Sequence, residues 1–432
     1  MIASGLIFSI LTSFEAAAWT ICPAAKEAGW HEVDGNLFGP DGTGQKYFAD
    51  TYAQQQFGRL VQRIRARGTN IVVAVVPPRS VVALAPGGSE SYPEWAAERA
   101  GYAATVEWFR TIGVRAPDLA QVGIDLRAKG KPMFRPEDGH WAPEGAIAAA
   151  GAIAGEIRAI QKFGWLGSAP QQLIAGLSEK PPTGALLDEL AKVCGTKAEP
   201  EWERPDYTVE RPAVSAAGLL DDVPPPPVVA VSSSFGHPMF FLPQALGAEL
   251  DAEVLNITVA SGKVVSALRA WLESPDYATP PDVLVWMFTT SHLMGPAPSS
   301  GASLRNPEGL RQLIPLADGG CTAGNAKIAL QADAEGKLSG FGKGLSGEGH
   351  YLQFEGEGLP PTGFVVHINY GDGTRESLKI EPDDRVRAAP RQMLEFRQFP
   401  ASTVAGVRVT APAGKSVGAF TVRVCGYRPI KP

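Results

Sequence analysis

Val228-Val-Ala-Val-Ser-Ser-Ser-Phe-Gly-His237 is a short apolar run that ends in three serines and a glycine. A run with no polar face reads as a strand buried on both sides, the kind a parallel sheet uses. The serines and glycine mark a sharp turn. At the carboxyl end of such a strand, a turn lifts a hydroxyl clear of the sheet edge. Ser234 stands there. A Ser hydroxyl is a poor nucleophile until a base takes its proton, and a His base needs an acceptor on its far nitrogen to fix the tautomer.

Both partners occur almost a hundred residues earlier, in Phe134-Arg-Pro-Glu-Asp-Gly-His-Trp-Ala-Pro-Glu-Gly-Ala146. Asp138 and His140 lie two residues apart, just before Pro143, and the Ala-rich run from Ala146 to Ile160 reads as a helix beginning close by. Taken alone, Asp-x-His is matched as readily by a chance pair on a loop, and serines are common in strand-to-helix turns. The combination, within an α/β pattern that places both at sheet ends, favours a Ser-His-Asp hydrolase or transferase built on Ser234, His140 and Asp138.

The surrounding chain supports that sheet. Tyr52 to Arg67 is apolar at helical spacing and stopped by Gly68, and Ile71-Val-Val-Ala-Val-Val76 closed by Pro77-Pro78 is a second buried strand. A helix over Trp95 to Ile112 and a short strand within Val114 to Leu119 follow. Beyond the serines, helices over Phe240 to Leu250 and Val264 to Leu272 bracket a strand at Val254 to Thr258, and Val283 to Phe288 is the last strand. This alternation is α/β. Residues 162–227 break the rhythm, with a short helix over Leu186 to Val193 and the stiff Pro224-Pro-Pro-Pro227, and read as an insertion.

Past Met294 the character changes. Gly and Ser crowd 295–304 as a linker. Alternating runs follow at Lys327–Gln331, Phe364–Asn369, Ser377–Ile380, Met393–Phe396, Val407–Thr410 and Phe420–Cys425. Half a dozen strands in about 110 residues with no helix signal indicate an all-β sandwich.

The chain of 432 residues is long enough for two domains, and its net charge of −6 gives no reason to expect nucleic acid or an anionic membrane as partner. A polyanionic substrate would need a local basic groove. Met1 to Phe14 is apolar and Glu15-Ala-Ala-Ala18 supplies small residues, as in a trimmed signal peptide, although the positive leader is missing. Cys22, Cys194, Cys321 and Cys425 form no CxxC pair, which argues against zinc. Four thiols allow three pairings. The simplest, Cys22–Cys194 with Cys321–Cys425, respects the domain split; four unpaired cysteines in a cytosolic protein are the alternative. Trp141 reads as a sugar platform or as a buried anchor, Arg79 and His237 as site-lining or as solvated, and His31, His292, His350 and His367 show no ligand spacing.

In Val75-Val-Pro-Pro78, Asp138-Gly-His-Trp141 and the strand-to-Ser234-Phe turn, the chain resembles the alginate O-acetyltransferase AlgX/AlgJ family. The one-bridge-per-domain cysteine arrangement resembles that family too. The resemblance implies an SGNH-hydrolase-like catalytic domain over 19–300, carrying the insertion, and a carbohydrate-binding sandwich over 310–432. Residues 1–18 would be the signal remnant. It further implies Ser234 as nucleophile, His140 as base and Asp138 as its orienter, with Trp141, Arg79 and His237 as candidate substrate contacts. It implies no cofactor. The product would be a periplasmic or secreted polysaccharide O-acetyltransferase using an acetyl-enzyme intermediate, with an alginate-like or cellulose-like polymer as substrate. Its acetyl donor would be relayed by a membrane O-acyltransferase, and an export complex would be a partner. A carbohydrate acetyl esterase with the same triad, or a non-catalytic polysaccharide-binding subunit, are the alternatives. One departure matters: the family's usual Gly two residues before the nucleophile is Ser232 here, tolerable only if the turn demands no positive φ there.

Overall fold

Four of the apolar runs lie side by side. Asn70–Val76 (β1), Val228–Ser232 (β2), Val254–Thr258 (β3) and Val283–Thr289 (β4) form a sheet in the order β1-β4-β2-β3, every pairing parallel. Successive strand residues point to opposite faces, and both faces are covered. Val73, Val75, Val231, Trp286 and Phe288 pack against helices Thr51–Arg65, Trp95–Thr111 and Val264–Glu273. Val72, Ala74, Ala230, Val285 and Met287 pack against Pro143–Arg158 and Leu242–Leu250. β1, β2 and β4 contain no polar face because neither of their faces meets water, whereas β3, at the sheet edge, is half-buried and carries Asn256 and Thr258. The chain leaves β2 to lay β3 on one side and returns to lay β4 on the other. That makes the carboxyl end of β2 a switch point, where α/β sheets place their ligands.

The computed structural model describes residues 20–33, 35–40, 51–84, 94–177, 184–195, 205–210, 225–260, 264–293, 307–333, 336–338, 340, 345, 349–356, 358–360, 363–380, 391–396, 403–411 and 417–430. The expected signal remnant and the 295–304 linker lie outside them. Among the described residues no helix is long and apolar enough to cross a membrane.

Two elements differ from the sequence reading on the way to the site. The short strand expected within Val114 to Leu119 is a single parallel bridge, Arg115 to Val72. Pro117 ends it, and Asp118 then caps a helix, Leu119–Ala128, by accepting from Gln121 N. Within 162–227 the described residues add a hairpin, Gln172–Leu177 with Pro205–Glu210, to the helix Ala185–Cys194.

The C-terminal strands form two antiparallel sheets. One runs Lys337–Leu338, Val404–Thr410, Phe364–Tyr370, Arg375–Ile380; the other runs Arg391–Glu395, His350–Glu355, Thr421–Gly426, Ala326–Gln331. Their inward residues, among them Phe354, Val366, Ile368, Leu394, Val409 and Val424, share one core. The sequence reading missed His350–Glu355, a central strand, because the buried Gln353 interrupts its apolar pattern. That side chain satisfies a backbone donor, its Oε1 accepting from Cys321 N at 3.0 Å. The helix Pro307–Ala317 was also missed, since Gly309 and Pro315 weaken its signal.

That helix wedges between the two bodies. Its Arg311 is 3% exposed and donates to the Glu376 carboxylate at 3.1 Å and to the Glu395 carbonyl at 2.7 Å. Arg59 and Tyr427 reach Glu395 Oε1 from either side, at 2.5 and 2.6 Å. Tyr351 and Met393 of the sandwich share a core cluster with Leu313 of the wedge and Phe57 of the helix Thr51–Arg65. The interface is apolar at heart and ionically pinned. Disulfides Cys22–Cys194 and Cys321–Cys425 close loops of 172 and 104 residues. Closing such long loops removes unfolded-state freedom.

Gly145, in the first turn of Pro143–Arg158, lets that helix lie on the backbone of the preceding loop: a Cβ there would sit 1.9 Å from Met133 O. Gly145→Ala is expected to lose about 1–3 kcal/mol of stability, read as a lower denaturant midpoint at unchanged slope. An unshifted midpoint would mean that this contact does not hold the loop.

Candidate active site

Ser234 opens a 3₁₀ turn, Ser234–Gly236, separated from β2 by Ser233 alone. A second turn, Pro238–Phe240, follows, and the α-helix expected from Phe240 begins only at Leu242. Phe241 breaks the path with φ of 63°, an outlier for an aromatic residue, and its ring is held edge-on against Tyr207. Ser234 therefore heads a single 3₁₀ turn, and the α-helix is separated from it by a second turn.

The three serines are not equivalent. Ser232 and Ser233 are 0% and 1% exposed, whereas Ser234 is half-buried. Ser232 Oγ donates to the Ser233 carbonyl at 2.8 Å and lies 3.1 Å from Thr258 Oγ1. Among the described residues only Phe241 and Asp251 have positive φ outside glycine, so the turn asks for no glycine at Ser232. Space for the Ser232 hydroxyl comes from Gly236, where a Cβ would stand 1.9 Å from it.

The loop carrying Asp138 and His140 closes on itself. Phe134 and Trp141 form an antiparallel bridge with stacked rings, and Arg135 N donates to His140 O at 3.0 Å. Asp138 Oδ1 accepts from His140 N at 3.1 Å and lies 2.6 Å from His140 Nδ1. A carboxylate only accepts, so Nδ1 carries the proton and Nε2 is left to accept from the Ser234 hydroxyl, 2.7 Å away. Burial pushes the Asp138 carboxyl up. The hydrogen bonds and charge of His140, with Arg135 further off, outweigh it and hold Asp138 below the usual carboxylate range. The structure thus brings together the three residues read from sequence.

It treats the other three differently. Trp141 is fully buried, stacked on Phe134 and edge-on to Phe235, so it is the anchor and not a sugar platform. Arg79 is not solvated: it donates to the carbonyls of Asp138 (2.6 Å) and Pro136 (2.5 Å) and to Asn36 Oδ1 (3.1 Å). Burial lowers its pKa and Asp138 opposes the shift. With both terminal nitrogens spent on Asn36 and on the loop carbonyls, Arg79 positions Asp138, and only its buried Nε is left without an acceptor. His237 is exposed at the rim, and its Nδ1 accepts from Met239 N at 3.3 Å.

Two neighbours were missed. Phe240 stacks on the His140 ring, centroids 4.1 Å apart and nearly parallel, and the Arg135 guanidinium lies over Phe240 at 4.9 Å. Arg135 was legible: one residue inside a Phe134–Trp141 pair, the next pair is Arg135 with His140. Phe240 was not, since no local pattern links it to residue 140. Among the described residues no group of three His, Cys, Asp or Glu could hold a metal ion.

Comparison with known proteins agrees with this fold. A family model described as the SGNH hydrolase-like domain of acetyltransferase AlgX matches residues 40–290. The alginate biosynthesis protein AlgX of Pseudomonas fluorescens is 21% identical over 384 residues, 85% of this chain and 76% of that protein. A probable alginate O-acetylase AlgJ from the same species is 26% identical over 246 residues, 54% of this chain and 59% of that protein. The solved structure of Pseudomonas aeruginosa AlgX superposes with a TM-score of 0.76 at 20% identity, covering 95% of this chain and all of that one.

A hydroxyl paired in this way is expected to react with phenylmethanesulfonyl fluoride at Ser234 alone among the three serines. His140→Ala is expected to slow that labelling by about 10²-fold or more, followed by peptide mass spectrometry. Labelling of Ser232 or Ser233, or labelling indifferent to His140, would contradict the pairing.

Proposed function

The chain belongs to the AlgX family of SGNH hydrolase-like proteins, and from that premise we propose that it is a polysaccharide O-acetyltransferase working through a Ser234-His140-Asp138 triad. The observation that carries the proposal is the pair of contacts on one imidazole, 2.6 Å to Asp138 and 2.7 Å to Ser234.

In the first half-reaction Ser234 Oγ attacks the acetyl carbonyl of a donor ester while His140 Nε2 takes the hydroxyl proton. Asp138 stabilises the imidazolium that results. The Ser234 backbone N–H, at the head of its turn, is the oxyanion donor. The bond to the donor's leaving oxygen breaks, that oxygen takes the proton from His140, and acetyl-Ser234 remains. A sugar hydroxyl then enters, gives its proton to the same Nε2 and attacks the acetyl carbon. Ser234 Oγ leaves and recovers its proton. Atoms and charge balance with no cofactor.

The acceptor we assign is an anionic, alginate-like polymer. Cross-strand register supports this: Lys337 faces Arg408, Arg408 faces His367 and His367 faces Ser377, with Arg375 and Lys379 exposed on the same outer side of the sandwich. That row is cationic on a chain that is acidic overall. We place the protein in the periplasm, where two disulfides persist, supplied with acetyl by a membrane O-acyltransferase and working beside an export complex.

Purified protein is expected to hydrolyse p-nitrophenyl acetate, with Ser234→Ala lowering the rate by about 10³-fold or more. With an oligosaccharide acceptor, mass spectrometry is expected to show acetylated product. Acetate alone would make the protein an esterase, and a Ser234→Ala rate equal to wild type would make it a binding subunit. Asp138→Asn is expected to lose about 10²–10⁴ in kcat through the wrong tautomer, with KM nearly unchanged. A KM effect alone would contradict the orienting role.

A further inference from the structure

Arg135 is 3% exposed, and its guanidinium nitrogens Nε and Nη1 are buried with no hydrogen-bond acceptor. A guanidinium is the most demanding donor a side chain offers, so burying one with unmade bonds is costly. Arg79, on the short helix that follows β1, shows the alternative: its terminal nitrogens have three oxygen acceptors within 3.1 Å and only its Nε is left without one. Among the described residues no ion pair within 4.0 Å engages Arg135. Its nearest compensation is the face of Phe240 at 4.9 Å. Asp138 contributes only through its field, since its Oδ1 is committed to the ring and N–H of His140.

The direction in which Arg135 points follows from register. In an antiparallel pair, residues directly opposite share a face. Phe134 and Trp141 are one such pair and turn inward, rings stacked. Arg135 and His140, joined by Arg135 N to His140 O, are the next pair and turn to the opposite face. That is the face from which His140 meets Ser234. Phe240 confirms the neighbourhood, because one ring contacts both the imidazole and the guanidinium.

Resting on the acetyltransferase reading, we infer that Arg135 is the specificity-determining residue of the acceptor site, recognising a carboxylate carried by the sugar whose hydroxyl is acetylated. A guanidinium is a planar fork matched to a carboxylate, and a charge-assisted pair in a partly dehydrated site is stronger than one in open water. A uronate delivered there completes the bonds Arg135 lacks and brings its ring hydroxyls beside His140. A neutral sugar leaves them unmade, so the site discriminates by the cost of an unpaired cation.

The test uses the full chain, p-nitrophenyl acetate as an uncharged donor throughout, and two acceptors: an oligouronate and the same oligosaccharide after carboxyl reduction. Because the donor carries no charge, any preference belongs to the acceptor. Wild type is expected to acetylate the oligouronate with a kcat/KM about 10-fold or more above the reduced acceptor. Arg135→Lys, which keeps charge but loses the fork, and Arg135→Met are expected to collapse that ratio toward one, chiefly through KM for the oligouronate. Circular dichroism and Tm report whether each variant folds, and a wild-type ratio near one overturns the inference whether or not they do. A wild-type ratio near one, or variants that lower both acceptors equally, overturns the inference and leaves the acetyltransferase standing. No acetylated product from either acceptor overturns the acetyltransferase reading itself.

Discussion

A single imidazole joins two segments that have no local reason to meet. His140 Nε2 lies 2.7 Å from Ser234 Oγ, 94 residues on, while Nδ1 is held by Asp138 two residues back. A proton can pass along that line only if each oxygen stays within a few tenths of an ångström, and loops do not hold such tolerances unaided. Much of the N-terminal body can be understood as the scaffold that supplies them. β2 is buried on both faces, so its carboxyl end is fixed against two neighbouring strands and Ser234 is delivered at the sheet edge. The loop with Asp138 is fixed by Arg79 on its carbonyls, by the buried Trp141 beneath it and by the helix that begins at Pro143.

Electrostatics follow from the same packing. Asp138 is 4% exposed, and burial alone would favour its neutral acid, which could not orient a base. Two hydrogen bonds from one residue and the field of Arg135 reverse that, so the carboxylate stays charged where it is needed. Arg135 sits at a cost, with buried nitrogens left without acceptors. Costs of that kind concentrate where a ligand completes the arrangement.

Much of this was legible in the chain because its causes are local. Short, β-branched apolar runs bounded by Pro, Ser or Gly read as doubly covered strands, so β1, β2 and β4 and the α/β class follow from Ile71, Val228 and Val283 onward. Ser234, His140 and Asp138 were legible because their chemistry and their places at strand and helix ends coincide. The misses have a common cause, which is that tertiary partners decide them. Gln353 breaks the apolar pattern of a central strand because a backbone N–H of Cys321 waits for it. Pro315 hides a helix stabilised by Arg311 reaching across to the sandwich. Trp141 looked equally suited to sugar or core, and only the ring of Phe134 and the edge of Phe235 decide for core. The tolerance of Ser232 depended on Gly236, four residues on and across the turn.

The central claim is that Ser234 carries the acetyl group between donor and acceptor. Its most direct test is rapid mixing of the protein with an activated acetyl ester, acid quench, intact-mass measurement and peptide mapping. The account predicts one added acetyl group, located on Ser234, absent in Ser234→Ala and discharged when an oligosaccharide acceptor is supplied. Donor consumption with no covalent species, or an acetyl group mapped to another residue, would contradict it.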